Sequence, residues 1–452
     1  MADAAAASRF AEAFSGQIVR RGDPGYDDAR VVWNGMIDRY PALVVRPESP
    51  GDVAAAVRFA REGELPIAVR SGGHSIPGLS TCDDGIVIDL SRMTGATVDA
   101  SERTAWVNGG ALLGELDQAA QAVGLVCPVG VVSHTGVAGL TLGGGMGRLQ
   151  RKHGLTIDNL LGVELVTADG RHVRASEDEE PELFWGLRGA GANFGIVTAF
   201  CFRLHPLDWP VTHGTLVHPL ERATDLAALL VGVLEQAPDE LWASFGLARD
   251  PDGRPVSFVS VLHSGRPEAA ARDLAELRAF GPPLSGSIDA KPHLVPQTMA
   301  DEEQHWGQRF SMKSAFVTSL PGELVALCAD HLERAPAGGD SNFSIWACGG
   351  AIARVSDDAT AFTGRSGAFW LAAETLWQDA ELDDALRPWA RDAISAVQPY
   401  ATEGRYVNDV VETGTDVVRS IYGPEKYDRL RALKRTWDPD NVFRLNQNIP
   451  PS

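Results

Sequence analysis

Up to His205-Pro206 short apolar runs alternate with stretches of helical periodicity, the texture of α/β organisation. Pro66-Ile67-Ala68-Val69-Arg70 reads as a buried strand, preceded by a helix through Val53, Val57 and Phe59 that Asp52 is expected to cap. Gly85-Ile86-Val87-Ile88-Asp89-Leu90, Thr104-Ala105-Trp106-Val107 and Gly195-Ile196-Val197-Thr198-Ala199-Phe200 read as further strands, and Leu112 to Val123 as a helix. Asp169-Gly170, which supplies positive φ, joins Gly162 to Thr167 and His172 to Arg174 into a hairpin. The opening MADAAAASRFAEAFSG reads as a short amphipathic helix. Beyond Pro206 longer amphipathic helices, Leu324 to Arg334 and Leu382 to Val397, lie between strands such as Phe343 to Trp346. There Asp250-Pro251-Asp252-Gly253 folds Leu241 to Leu247 back on Val256 to Leu262. This second stretch predicts an α+β unit with an antiparallel sheet.

Composition narrows the classes. The 452 residues carry 40 Lys plus Arg against 60 Asp plus Glu, a net charge of −20, which argues against a nucleic-acid or anionic-membrane binder. With 44% hydrophobic residues the chain can build sizeable cores, so a disordered acidic protein is excluded. No apolar run reaches the ~18 residues of a membrane span, and the N-terminus lacks the basic region of a signal peptide. Five scattered cysteines without a CxxC pair fit a reducing, cytoplasmic setting, with neither a disulfide framework nor a zinc site expected.

Two glycine-rich loops carry the chemistry. Arg70-Ser71-Gly72-Gly73-His74-Ser75 directly follows a strand, and Ser133 to Gly147 reads SHTGVAGLTLGGGMG. Glycine at this density implies positive φ or a close approach to the backbone, and such turns expose N–H groups suited to a pyrophosphate. Gly-rich turns also serve simply to connect strands; two in one region favour the binding reading. Neither is a Walker A loop, and no GxGxxG opens a βαβ unit. His74 sits at the tip of the Gly-Gly turn, where a neutral imidazole is nucleophilic, although a lone histidine is more often a satisfied polar group.

Taken together, these loops, the segment Arg151-Lys152-His153-Gly154-Leu155-Thr156-Ile157-Asp158-Asn159-Leu160 and the C-terminal Asp438-Pro439-Asp440-Asn441-Val442-Phe443-Arg444-Leu445-Asn446-Gln447-Asn448-Ile449 resemble the berberine bridge enzyme-like oxidoreductases of the vanillyl-alcohol oxidase superfamily. The resemblance implies a PCMH-type FAD-binding domain of two subdomains, residues 1–206 and 405–452, and an inserted substrate domain, residues 207–404, with an antiparallel sheet flanked by helices. It places a covalent bond to the flavin 8α carbon on His74. Many relatives carry a second, cysteinyl link; here Val132 stands at that position and Cys127 lies five residues earlier, so a single link is expected. Arg70, Ser71, Gly72, Gly73, Ser75 and Gly78 are expected at the pyrophosphate. Ser133, Thr135, Gly136, Gly139, Leu140, Gly143, Gly144, Gly145 and Gly147 are expected beside the ring and phosphates, with Asn159 also among the cofactor contacts. Gly195, Ile196 and Val197 are expected on the adenine side, and Asn446 and Asn448 near the ring, where amides can satisfy its pyrimidine edge.

For catalysis the family's Tyr-x-Asn-Tyr strand becomes Arg405-Tyr406-Val407-Asn408-Asp409, so Tyr406 and Asn408 match while Asp409 replaces the second tyrosine. Tyr406 is the first candidate for base or positioning group and also a flavin neighbour; Asp409 takes over if burial raises its pKa, and His134 is a third candidate. Trp33-Asn34-Gly35 and Trp346, Trp370 and Trp377 read as core rather than pocket. The resemblance implies an oxidase of a small organic alcohol or amine, natural-product intermediates of secondary metabolism included, that passes a hydride to flavin N5 and electrons to O2. A flavin dehydrogenase with another acceptor, or a flavoprotein that binds a metabolite without turnover, fits the same residues.

Overall fold

A computed structural model describes residues 4–451. Short apolar runs build a four-stranded sheet in the order Gln17–Arg20, Leu43–Arg46, Ile86–Asp89, Ile67–Arg70, with the central strand Ile86–Asp89 buried on both faces and the edge strand Gln17–Arg20 half-exposed. The last three strands are parallel, as a sheet covered by a crossover helix requires. That helix, Pro50–Glu62, starts one turn earlier than expected: Ser49 is its cap, accepting from the Asp52 N–H, while the Asp52 carboxylate reaches back to the Glu48 and Ser15 N–H groups. The N-terminal helix Ala4–Ala13 docks Phe10 on Phe59, with ring centroids 4.5 Å apart.

A second, all-antiparallel sheet runs Ala96–Asp99, Thr104–Asn108, Ile196–Arg203, Leu160–Val166, His172–Ser176. Its core also takes in Val407, Val410, Ile421, Leu430 and Ile449, so the C-terminal stretch packs where the chain's first half does. The helix Thr415–Trp437 of that stretch kinks at Gly423 (φ 71°) ahead of Pro424.

The third sheet has seven antiparallel strands in the order Ile288–Lys291, Val211–Pro219, Pro255–His263, Leu241–Arg249, Asp340–Ala347, Phe369–Trp377, Arg309–Val317. Side chains alternate across it. Leu241, Ala243 and Phe245 pack into a core shared with the helices Ala223–Gln236, Gly322–Glu333 and Asp383–Val397. Trp242 and Ser244, between them, face a large cavity. Phe369, Leu371 and Ala373 repeat the pattern, with Trp370 and Glu374 on the cavity side. Among the described residues no helix is long and apolar enough to cross a membrane.

Candidate active site

The cavity, about 1110 Å³, lies between the glycine loops and the bare face of the seven-stranded sheet. Gly72 and Gly136 are glycines because the loops touch there: a Cβ on Gly72 would lie 2.1 Å from the Gly136 nitrogen, and one on Gly136 would lie 2.2 Å from the Gly72 nitrogen. Gly139 differs, since a Cβ there meets nothing within 4 Å and its face is open to the cavity. Ser71, Gly73, Ser75, Thr135 and Leu140 also line the wall, and the Ser71 hydroxyl is buried without a hydrogen-bond partner among the described residues. Gly195, Ile196, Val197 and Asn446 line it too; the Asn446 amide donates to Ala192 O at 2.8 Å while its Oδ1 is buried and unpartnered.

His74 projects into the cavity beside the loops. Its Nε2 is 2.7 Å from His134 Nδ1, and its ring stacks on Trp33 at 4.9 Å. Trp33, read as core, is therefore also part of the wall, anchored by its indole N–H to Gln304 O at 2.6 Å. Burial, aided by His134, pushes the His74 pKa down to about 3, so the imidazole is neutral and nucleophilic at neutral pH. Val132 lines the wall, whereas the Cys127 thiol is fully buried away from it and is pushed well above its ordinary value by burial.

Several expected contacts point elsewhere. The Arg70 guanidinium turns back to Val31 O (2.7 Å), Ala29 O and Asp89 (3.1 Å), satisfying its own buried charge rather than facing the cavity. Gly78 (φ 73°) is pressed against Ile37, and Ser133 bonds Asp301 through both its N–H and its hydroxyl. Gly143, Gly144, Gly145 and Gly147 are glycines for protein packing, lying against Asn408, Phe362, Thr156 and the Val129 carbonyl. The Asn159 amide donates to His153 O and Leu155 O, and Asn448 lies outside the wall.

Arg405 to Asp409 is not a strand but an extended entry into a single 3-10 turn, Val407–Asp409. This turn presents Tyr406, Asn408 and Asp409 to the cavity together. The Tyr406 hydroxyl oxygen accepts from the Gly145 N–H (3.2 Å) and the Asn408 amide (3.0 Å), and burial raises its pKa above the ordinary phenol value. Asp409 Oδ2 accepts from the Ser314 hydroxyl and the Trp370 indole, each at 2.8 Å; burial nonetheless raises its pKa to about 7. Glu374, half-buried on the neighbouring strand, is also raised to about 7, first by burial and then by Asp409 and Glu303. Sequence reasoning passed over Glu374, although one carboxylate in the apolar run Phe369–Trp377 was a legible signal. Trp346 and Trp370 line the cavity, correcting their reading as core, whereas the Trp377 indole donates to Asp383.

A backbone-walled trough with orphaned acceptors and a neutral histidine fits a flavin dinucleotide, and similarity points the same way. The family described as "FAD binding domain" matches residues 41–176, and "Berberine and berberine like" matches residues 405–450. The chain belongs to the berberine bridge enzyme-like FAD-linked oxidoreductases of the vanillyl-alcohol oxidase superfamily. It is 34% identical to (R)-6-hydroxynicotine oxidase of Paenarthrobacter nicotinovorans over 96% of this chain and 97% of that one. It is 32% identical to an FAD-linked oxidoreductase of Dictyostelium discoideum, over 98% and 96%. Among solved structures, 6-hydroxy-D-nicotine oxidase from Arthrobacter nicotinovorans superposes with a TM-score of 0.88 at 31% identity, covering 97% of this chain and 98% of that one. A BBE-like enzyme of Physcomitrella patens reaches 0.89 at 26%, covering 99% of each.

Proposed function

We propose that the protein is an oxidase of a small organic amine or alcohol, with FAD bonded to the chain through His74 alone and O2 as the final acceptor. When bound, FAD supplies the hydride acceptor at N5 and hands two electrons on to O2, giving H2O2. The backbone of residues 71–75 and 135–140 would hold the pyrophosphate, with Asn446 near the ring. The observation that carries the reading is His74: a neutral imidazole, oriented by His134 and Trp33, on the cavity that Tyr406, Asn408 and Asp409 also line.

Tyr406 holds its proton at neutral pH, and with its oxygen occupied by two N–H donors its own O–H is free to orient the substrate heteroatom. Glu374 and Asp409, poised near pH 7, take up the proton that leaves the substrate nitrogen or oxygen. An amine is favoured over an alcohol, since neither carboxyl is ion-paired among the described residues and a cationic nitrogen supplies the missing partner. Acid precipitation of purified protein tests the attachment: yellow colour should stay with the pellet and leave it in His74→Ala. Mixing the reduced enzyme with air tests the acceptor: reoxidation well under a second with peroxide release is expected, and reoxidation over minutes assigns a dehydrogenase instead.

A further inference from the structure

At the end of the sheet wall away from Asp409, nitrogen donors gather without acceptors. Trp242 and His213 are 2% and 1% exposed, yet the indole nitrogen and both imidazole nitrogens lack hydrogen-bond partners among the described residues. The two stand at one register level across the sheet, each opposite Leu262, and so share the cavity face. Arg148 reaches over them. Its guanidinium lies 5.8 Å from the centre of the Trp242 ring, and its charge helps to depress the His213 pKa. One guanidinium nitrogen donates to Pro296 O at 2.7 Å, but Nε is buried and unpartnered, and no carboxylate among the described residues pairs with the group. Buried Arg151 also lacks a carboxylate among the described residues but is held by two carbonyls, through Nε and a terminal nitrogen, whereas Arg148 has one carbonyl and an idle Nε, which leaves its charge short of partners. The nearby imidazole of His293, kept neutral by burial and by Arg148 itself, is a further unpartnered group among the described residues and, being neutral or cationic in either form, offers no counter-charge.

We propose that Arg148, Trp242 and His213 form a subsite for a carboxylate carried by the substrate. A planar carboxylate matches the guanidinium fork and accepts from the indole N–H at the same time. The inference rests on the cavity being the oxidase's substrate chamber and adds the second end of the molecule it takes. Trp242 meets Trp346 edge-on at 5.3 Å, Trp346 meets Trp370 at 5.2 Å, and Trp370 bonds Asp409. The wall thus runs from a cation-seeking end beside Tyr406, along three aromatic rings, to an anion-seeking end at Arg148. A substrate that spans it is amphoteric, with an apolar body between an oxidisable amine and an acid. The glycine loops at residues 71–75 and 135–140 are separate segments of the cavity wall from the strands that carry Trp242 and His213.

Calorimetry of the holoenzyme with hexanoate and phenylbutanoate, each against its primary amide, reads the subsite whether or not turnover occurs. The acids should bind at least about tenfold more tightly than the amides. Arg148→Met should erase that preference, Arg148→Lys should restore part of it, and Trp242→Phe should weaken the acids severalfold while keeping the ring. Equal affinity of acid and amide overturns the proposal, as does a preference that survives Arg148→Met. Loss of FAD from Arg148→Met with the acid preference unchanged would assign the donors to the cofactor phosphates and likewise overturn it. If Arg148→Met fails to fold, the acid and amide comparison on the unaltered enzyme and on Trp242→Phe still decides. A protein that binds the acids but releases no peroxide with any amine would sink the oxidase reading and leave the subsite standing.

Discussion

The two walls of the cavity are built on opposite principles. The loop wall, residues 71–75 and 135–140, is made of backbone, and its decisive residues are glycines that let two loops touch. The sheet wall is made of side chains, with every second residue of a strand facing the cavity while its neighbours fill the core. On the loop wall a side chain in the wrong place costs the fold itself. On the sheet wall Trp242, Ser244 or Glu374 can change while Leu241, Ala243 and Leu371 keep their packing. Such a fold can hold its cofactor by one surface and rewrite its substrate preference on the other.

The largest expected effect breaks that contrast if it fails. In Gly136→Val the new Cβ lies 2.2 Å from the Gly72 nitrogen and 2.4 Å from the Ser71 hydroxyl, so one loop must move. A loss of about 3 kcal/mol or more is expected, with no flavin retained. Ser244→Val on the sheet wall, by comparison, should cost under about 1 kcal/mol and keep the flavin. Denaturant melts and the flavin absorbance of purified protein read both. A Gly136→Val protein that folds and stays yellow would mean that the loop contact is not what holds the site.

Titration sharpens the comparison, because the two walls respond to pH in opposite directions. His74 is held far below its unfolded value, so the stability it contributes is present above pH ~6.5 and is lost as pH falls toward about 3. Glu374 and Asp409 are raised to about 7, so their contribution is full below pH ~4 and is lost as pH climbs through 7. Melting temperatures of the flavin-free protein across pH should show both slopes. Glu374→Gln should remove part of the alkaline loss, gaining about 1–2 kcal/mol at pH 8, and lower turnover of an amine. A Glu374→Gln profile that overlays the parent's would show that its carboxyl ionises as freely as one in water.

The same asymmetry governs what the sequence made legible. Glycine density flagged the loop wall, and His74 stood out at its tip, because a backbone site advertises itself locally. What local reading could not supply was the partner. Arg70 looked like a phosphate ligand until the parallel register set it opposite Asp89. The triplet Gly143 to Gly145 looked cofactor-facing, but its neighbours are Asn408, Phe362 and Thr156, distant in sequence. The antiparallel sheet was foreseen from its hairpin, yet Phe369–Trp377 is buried on both faces and does not reveal which face is core, so Trp370 was assigned to the wrong one; Trp346 instead shares the face of Asn342 and Ser344, an alternation that marked it as off the core. Asp409 was weighed as a base only if burial raised its pKa, and Ser314 and Trp370, which enclose it, come from two strands of the seven-stranded sheet, distant in sequence from its turn.

The smallest expected effect separates the two reasons a loop can hold a glycine. Gly139 lies within the helix Val137–Leu142, has no positive φ, and would place a methyl group where the structure offers open space. Judged by the protein alone, Gly139→Ala should be stabilising by about 0.5–1 kcal/mol, since alanine gives up less backbone freedom in a helix. If the open space belongs to the dinucleotide, the same methyl group must reduce FAD retention even as the flavin-free protein melts higher. Opposite signs in the two measurements, made on one protein, would mark the loop wall as shaped for a ligand rather than for the chain. A Gly139→Ala variant that gains stability and holds FAD as firmly as its parent would leave that glycine without a cofactor role and confine the trough to the neighbouring backbone of Gly136 and Thr135.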